Sequence, residues 1–190
     1  MKWLDRYLRD LRIAQALPFI PRGGRLLDIG CFDQTLLHKV SSSVREAVGI
    51  DPLVEPSEKG NVRVLRGTLP WSGPNLPDLL ATKPDPAAGF SCITMLAVLE
   101  HIPDTPAVAR ECHRLLAPGG TVVITVPISQ VDHILKVLSR LRLIEGMSLE
   151  EHHGYNVKDT VPTFSAAGFK LRVNRGFELG LNRLFVFEKA

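Results

Sequence analysis

The chain has 190 residues, 45% of them hydrophobic and 23% charged, a balance that permits a buried core without disulfide or metal staples. Its net charge of +3 comes from 23 Lys and Arg scattered among 20 acids, so there is no basic stripe of the kind that grips a nucleic-acid backbone. Cys31, Cys92 and Cys112 are too few and too unevenly spaced for a disulfide framework or a zinc site, and they read as free thiols of a cytoplasmic protein with no metal centre.

Residues 2–16 carry Trp3, Leu4, Tyr7, Leu8 and Leu11 at helical spacing, with Pro18 and Pro21 to end the element. A packing helix is the expectation, with a lid over a binding site as the alternative. Asp5, Arg6, Arg9, Asp10 and Arg12 break any apolar run that a secretory leader would need. No stretch reaches the roughly 20 apolar residues of a membrane span.

Arg25–Gly30 predicts a short apolar strand, followed by a turn and a helix bearing Leu36, Leu37, Val40 and Val44. Ala47–Asp51 and Asn61–Leu65 predict two more strands. Residues 70–88 hold Pro70, Pro74, Pro77, Pro84 and Pro86 and are expected to be loop or short helix. Phe90–Leu96 is the next strand. A helix then starts with Thr105 as its expected cap and Pro106 at its first position, buries Val108, Cys112, Leu115 and Leu116, and stops at Pro118-Gly119-Gly120. Thr121–Val126 predicts a strand, residues 128–146 a helix, and Asp159 caps a last helix that holds Pro162 in its first turn. Phe169–Val173 and Asn182–Glu188 close the chain, with Gly176 and Gly180 between them.

Nearly all-apolar strands alternating with helices predict one α/β domain over residues 1–190, its parallel sheet covered on both faces. The last two strands lack an intervening helix and are expected to pair antiparallel. In such a sheet a ligand lies beyond the carboxyl ends of the strands. The first strand ends in Asp28-Ile29-Gly30-Cys31-Phe32-Asp33, a glycine turn opening a helix. The second ends in Asp51, roughly 20 residues later, where a carboxylate can accept from the ribose hydroxyls of an adenosyl cofactor. A dinucleotide fingerprint would need three glycines; only Gly30 is present, and Phe32 would block a pyrophosphate.

These segments together resemble the class I S-adenosylmethionine-dependent methyltransferases of the small-molecule branch. Leu26-Leu27-Asp28-Ile29-Gly30-Cys31 resembles their first motif, and Val48-Gly49-Ile50-Asp51 the second. Leu99-Glu100-His101-Ile102-Pro103-Asp104, Arg114-Leu115-Leu116-Ala117-Pro118-Gly119-Gly120 and Ala166-Ala167-Gly168-Phe169 are similar to later motifs, in the same order. The resemblance implies a Rossmann-like, doubly wound, seven-stranded sheet with the last strand antiparallel and inserted between the fifth and sixth.

It also implies that Asp28 and Gly30 shape the pocket for the methionine part of S-adenosylmethionine, with Cys31 and Phe32 in the same cofactor-binding turn. Asp51 would hold the ribose, Pro52 and Leu69 would sandwich the adenine, Thr68 would face its amino edge, and Leu96 would line the pocket beside the methyl group. Phe32 and Gln34 replace later glycines of the first motif, and Thr68 stands where an aspartate is usual. The implied activity is in-line transfer of the methyl group to a small-molecule acceptor. An inactive interaction module and a protein or RNA methyltransferase are the alternatives.

A base for the acceptor's proton is sought among His101, His152 and His153. His101 equally fits a role in bracing the following helix. The segment 127–155 is expected to cap the site and set specificity; its apolar stripe with Arg and Lys reads first as packing, with a hydrophobic, lipid- or sugar-containing acceptor or a membrane surface as the alternatives.

Overall fold

A computed structural model describes residues 3–71, 89–128 and 155–190. Eight strands form one sheet: β1 (Arg25–Ile29), β2 (Glu46–Asp51), β3 (Ser57–Lys59), β4 (Val62–Arg66), β5 (Phe90–Leu96), β6 (Leu116–Pro127), β7 (Phe169–Phe177) and β8 (Asn182–Lys189). Their order is β3-β4-β2-β1-β5-β6-β8-β7. The pairs β4–β2, β2–β1, β1–β5 and β5–β6 are parallel, whereas β8 runs antiparallel to both β6 and β7. The final strand is therefore inserted between β6 and β7. Seven strands make up the expected sheet, and the eighth is the short edge strand β3, an antiparallel partner of β4.

The helices are α1 (Trp3–Ala16), α2 (Thr35–Val40), α3 (Thr105–Leu115) and α4 (Thr160–Ala166). Successive side chains of a strand point to opposite faces, and here each face has its own helices. Leu27, Ile29, Ile93, Met95, Val122 and Ile124 pack with Val108, Cys112 and Leu115 of α3 and Phe164 of α4. Leu26, Ala47, Cys92 and Val123 pack on the other side with Ile13 and Ala16 of α1 and Leu36, Leu37 and Val40 of α2. All five residues of β1 are buried, which explains why Leu26–Ile29 reads as an apolar run broken by Asp28, with Arg25 at its start bonded to Glu46.

Several local expectations need correction. The apolar stripe of α1 is not a core stripe: Trp3 is 64% and Tyr7 56% exposed, and Ile13 and Ala16 carry the burial instead. Asp104 rather than Thr105 caps α3, its Oδ1 accepting from the Ala107 N–H at 2.9 Å. α3 ends at Leu115, before Pro118-Gly119-Gly120 is reached, and β6 begins at Leu116. Phe90 pairs with Leu116 and Cys92 with Thr121, so the Pro-Gly-Gly run is a bulge inside the ladder. Val44 is buried from a loop after α2 has ended.

At the last helix, the Asn156 side chain accepts from the Lys158 N–H in the turn before α4, while Asp159 makes no side-chain capping bond. β7 continues past Val173 through Gly176 to Phe177, because β8 offers it a partner over that whole length. The helix expected at 128–146 lies, from residue 129 on, outside the described residues.

Candidate active site

Parallel pairing brings the carboxyl ends of β1, β2, β4, β5 and β6 to one edge of the sheet. Between β1 and α2 the chain turns through Gly30, whose φ of +77° is disfavoured for side-chain-bearing residues. A Cβ on Gly30 would also lie 2.3 Å from Val98 Cγ2. Glycine is needed here so that the segment after β5 can close on the turn. Gln34 adopts φ +60° and so keeps the left-handed conformation without being glycine. The surrounding bonds hold it: Gln34 N–H donates to Cys31 O at 2.6 Å, and Thr35 N–H to Asp33 Oδ1 at 3.1 Å. Cys31 is buried and Phe32 is 60% exposed, its ring outside the sheet core.

Asp51 ends β2 and is buried. Its Oδ2 accepts from the Phe32 N–H at 3.1 Å and its Oδ1 from the Leu53 N–H at 2.8 Å, tying the β1 and β2 turns together. Each oxygen retains a lone pair for a further donor. Asp28 sits one strand away with Thr94 Oγ1 at 2.6 Å from its Oδ1. Burial, with smaller contributions from Asp33 and Asp51, pushes the Asp28 carboxyl up to about 7 against the Thr94 hydrogen bond. Asp33 is held below the ordinary carboxylate range: bonds from Thr35 and the ion pair with Arg9 of α1 outweigh its desolvation. Three carboxyl groups thus surround one glycine turn, with Arg9 paired to Asp33. An electrostatic field of that sign favours a cationic ligand.

Pro52 is exposed beside Asp51, and Leu53 after it is 75% exposed. Thr68 is exposed past the end of β4, whereas Leu69 is buried in the core below it. Leu96 is half-buried at the end of β5. Ala97 follows it at φ +57°, its N–H donating to Thr125 O at 2.9 Å. His101 ends the single turn Leu99–His101 and is exposed at the same sheet edge, while Leu99 and Glu100 beside it are buried. His152 and His153 lie outside the described residues, as does nearly all of the segment 127–155 that was expected to cap the site. Cys31, Cys92 and Cys112 are buried free thiols. Among the described residues no cluster of three or more His, Cys, Asp or Glu has the arrangement of a metal site.

A family profile described as a methyltransferase domain matches residues 2–173. The chain belongs to this family. Among curated relatives, a ubiquinone biosynthesis O-methyltransferase of Psychrobacter cryohalolentis is 28% identical over 132 residues, covering 62% of this chain and 50% of the relative. Its counterpart in Paracidovorax citrulli is 25% identical over 134 residues, covering 70% and 56%. The chain thus spans about half the length of the curated relatives it matches.

An S-adenosylmethionine-dependent methyltransferase of Mesorhizobium loti shares the fold of this methyltransferase domain with a TM-score of 0.65 and 15% identity, over 96% of this chain and 98% of that one. The cyclase SpnF has the same fold at a TM-score of 0.62 and 14% identity, over 97% and 80%.

S-adenosylmethionine is the cofactor of this class I family, and the residues of the methyltransferase domain fit it. Its sulfonium and ammonium groups suit the acidic turn made by Asp28, Asp33 and Asp51. The free lone pairs of Asp51 suit ribose hydroxyls. The Phe32 ring is exposed, outside the sheet core.

Sequence reasoning missed Arg9, Leu53, Thr94 and Val98. Thr94 alone left a trace: a hydroxyl within the buried run Phe90–Leu96 has to find a partner.

Proposed function

We propose that this chain transfers a methyl group from S-adenosylmethionine to the oxygen of a small-molecule acceptor with an apolar body. The observation that carries the reading is the convergence of Asp28, Asp33 and Asp51 on the turn between β1 and α2. Asp33 is already paired with Arg9, whereas burial and the neighbouring acids disfavour a negative charge on Asp28 in the empty turn, and a bound cation would relieve that cost. The acceptor class draws support from the names of the curated relatives and from the rim of the site. Phe32 and Leu53 donate backbone N–H bonds to Asp51, and Trp3 and Tyr7 lie on the same helix as the Arg9 that pairs with Asp33; all four are exposed.

The sulfonium supplies an already activated methyl group, so the protein's own task is positioning and proton removal. The protein would hold the acceptor oxygen in line with the methyl carbon and take its proton on a base, as the C–O bond forms and the carbon–sulfur bond breaks with its electron pair left on a neutral thioether. His101 stands at the sheet edge for that role. His152 and His153 are the further candidates.

Calorimetric titration with S-adenosylmethionine, with NADH as control, tests the cofactor assignment. Micromolar binding that Asp51→Ala abolishes is the expected result. Turnover of labelled methyl onto phenols with and without alkyl tails then tests the acceptor class, the tailed series being preferred. Binding without turnover of any acceptor would favour a non-catalytic interaction module, the reading to which Phe32 and Gln34 in place of glycines point.

A further inference from the structure

The strand ladder sets Asp28 directly opposite Thr94. Both point to the face covered by α1 and α2, and both are buried, Thr94 completely. Thr94 Oγ1 lies 2.6 Å from Asp28 Oδ1 and 3.4 Å from Leu27 O. A hydroxyl offers one proton and two lone pairs, so these neighbours allow two complete arrangements. When Asp28 is ionised, Thr94 donates to the carboxylate. When Asp28 is neutral, its own O–H donates to the Thr94 oxygen, and the Thr94 proton turns to the Leu27 carbonyl. Threonine serves both protonation states of its neighbour, whereas valine would serve neither.

The charged surroundings decide which state prevails. β2 places Gly49 beside Asp28 in the ladder and Asp51 at its own end, and the turn after β1 adds Asp33 and the Cys31 thiol. α1 contributes Arg9, already committed to Asp33 and Asp10, and α2 contributes the apolar Leu36 and Leu37. Every carboxylate in this set opposes a negative charge on Asp28, and burial adds the largest penalty.

We propose that Asp28 and Thr94 form a proton-holding pair: the cofactor-free protein keeps a proton on Asp28, and binding of the S-adenosylmethionine cation expels that proton to solvent while the Thr94 hydroxyl reverses its hydrogen bond. One positive charge enters as one leaves, and no covalent bond changes. Thr94 is in this account a positioning residue acting through Asp28. The inference rests on the cofactor assignment above.

Two measurements test it. Calorimetric titrations with S-adenosylmethionine in buffers of different ionisation enthalpy count the protons released. With Asp28 titrating at about 7, roughly 0.9 proton is released at pH 6 and roughly 0.1 at pH 8. Asp28→Asn abolishes the release. Thr94→Val moves its midpoint to higher pH, because the hydroxyl favours the ionised form, and Thr94→Ser restores it. A buffer-independent binding enthalpy at pH 6, or an unchanged midpoint in Thr94→Val, overturns the proposal.

The second measurement needs no cofactor. Infrared difference spectra of the cofactor-free protein between pH 6 and pH 9 should show a protonated carboxylic-acid carbonyl band at the lower pH. Asp28→Asn removes that band, and Thr94→Val serves as reference if the asparagine variant does not fold. An absent band overturns the pair. A band that titrates while no S-adenosylmethionine binds refutes the cofactor assignment, and with it the linkage, but leaves the pair established.

Discussion

Asp28→Asn should make the cofactor-free protein more stable at neutral and higher pH, although it removes a charge from the centre of the site. Burial raises the Asp28 carboxyl from its ordinary 3.8 to about 7. Between those values the folded protein holds a proton that the unfolded chain has lost. Stability with respect to this group is therefore full below about pH 4 and falls as pH rises to about 7, where the loss levels off. The difference of about 3 pH units corresponds to a ceiling of about 4 kcal/mol at pH 8. Asparagine matches the shape of the neutral acid and has no ionisation to lose. In a chain of this size such a gain raises Tm by roughly 10 °C, shrinking toward zero as pH falls to about 4. Denaturant unfolding of wild type and variant across that pH range is the assay. A variant less stable than wild type at pH 8, or a difference independent of pH, would refute the argument that Asp28 is a site of stored electrostatic cost.

Other expectations follow from single contacts. Gly30→Ala puts a Cβ 2.3 Å from Val98 Cγ2 at a positive φ, and should cost about 2–4 kcal/mol in urea unfolding, part of which Val98→Ala recovers. Gln34→Gly relieves a left-handed residue and should stabilise by up to about 1 kcal/mol with S-adenosylmethionine affinity unchanged, checked by thermal melting and calorimetry. Asp51→Ala strands the N–H groups of Phe32 and Leu53 and should lose about 1–3 kcal/mol of stability as well as cofactor binding; Asp51→Asn, which keeps one acceptor, should lose less stability. The partly exposed Arg9–Asp33 pair should contribute only a few tenths of a kcal/mol, present at neutral pH and lost only as acid below the ordinary carboxylate range protonates Asp33, so the coupling from a double-mutant cycle should be constant through neutral pH and fall only in strong acid.

Apart from the edge strand β3, the order of the described strands, the two-sided burial of β1, β2 and β5, and the antiparallel pairing of the last two strands were legible along the chain. They follow from apolar runs too long to be one-sided and from where helices are lacking between strands. Gly30 and Asp51 were legible as a pair because their spacing is that of one strand–helix–strand unit. Position along the chain alone gave Thr105 as a cap; the choice of Asp104 depended on which side chain the backbone aimed at Ala107. The stripe Trp3–Leu11 had the period of a core helix, yet the core contacts of α1 were taken by Ile13 and Ala16, leaving Trp3 and Tyr7 outside.

What the sequence by itself determined is therefore local and periodic: which segments are apolar enough to be strands, where glycine and proline stop them, and that Asp28, Gly30 and Asp51 fall at strand ends. Tertiary structure alone decided which side chains meet. Thr94 reaches Asp28 only because β5 lies beside β1 in that register, and Arg9 reaches Asp33 only because α1 packs over the same face. Those contacts join residues 66 and 24 positions apart, and hydrophobic periodicity carries no information about pairing at that range.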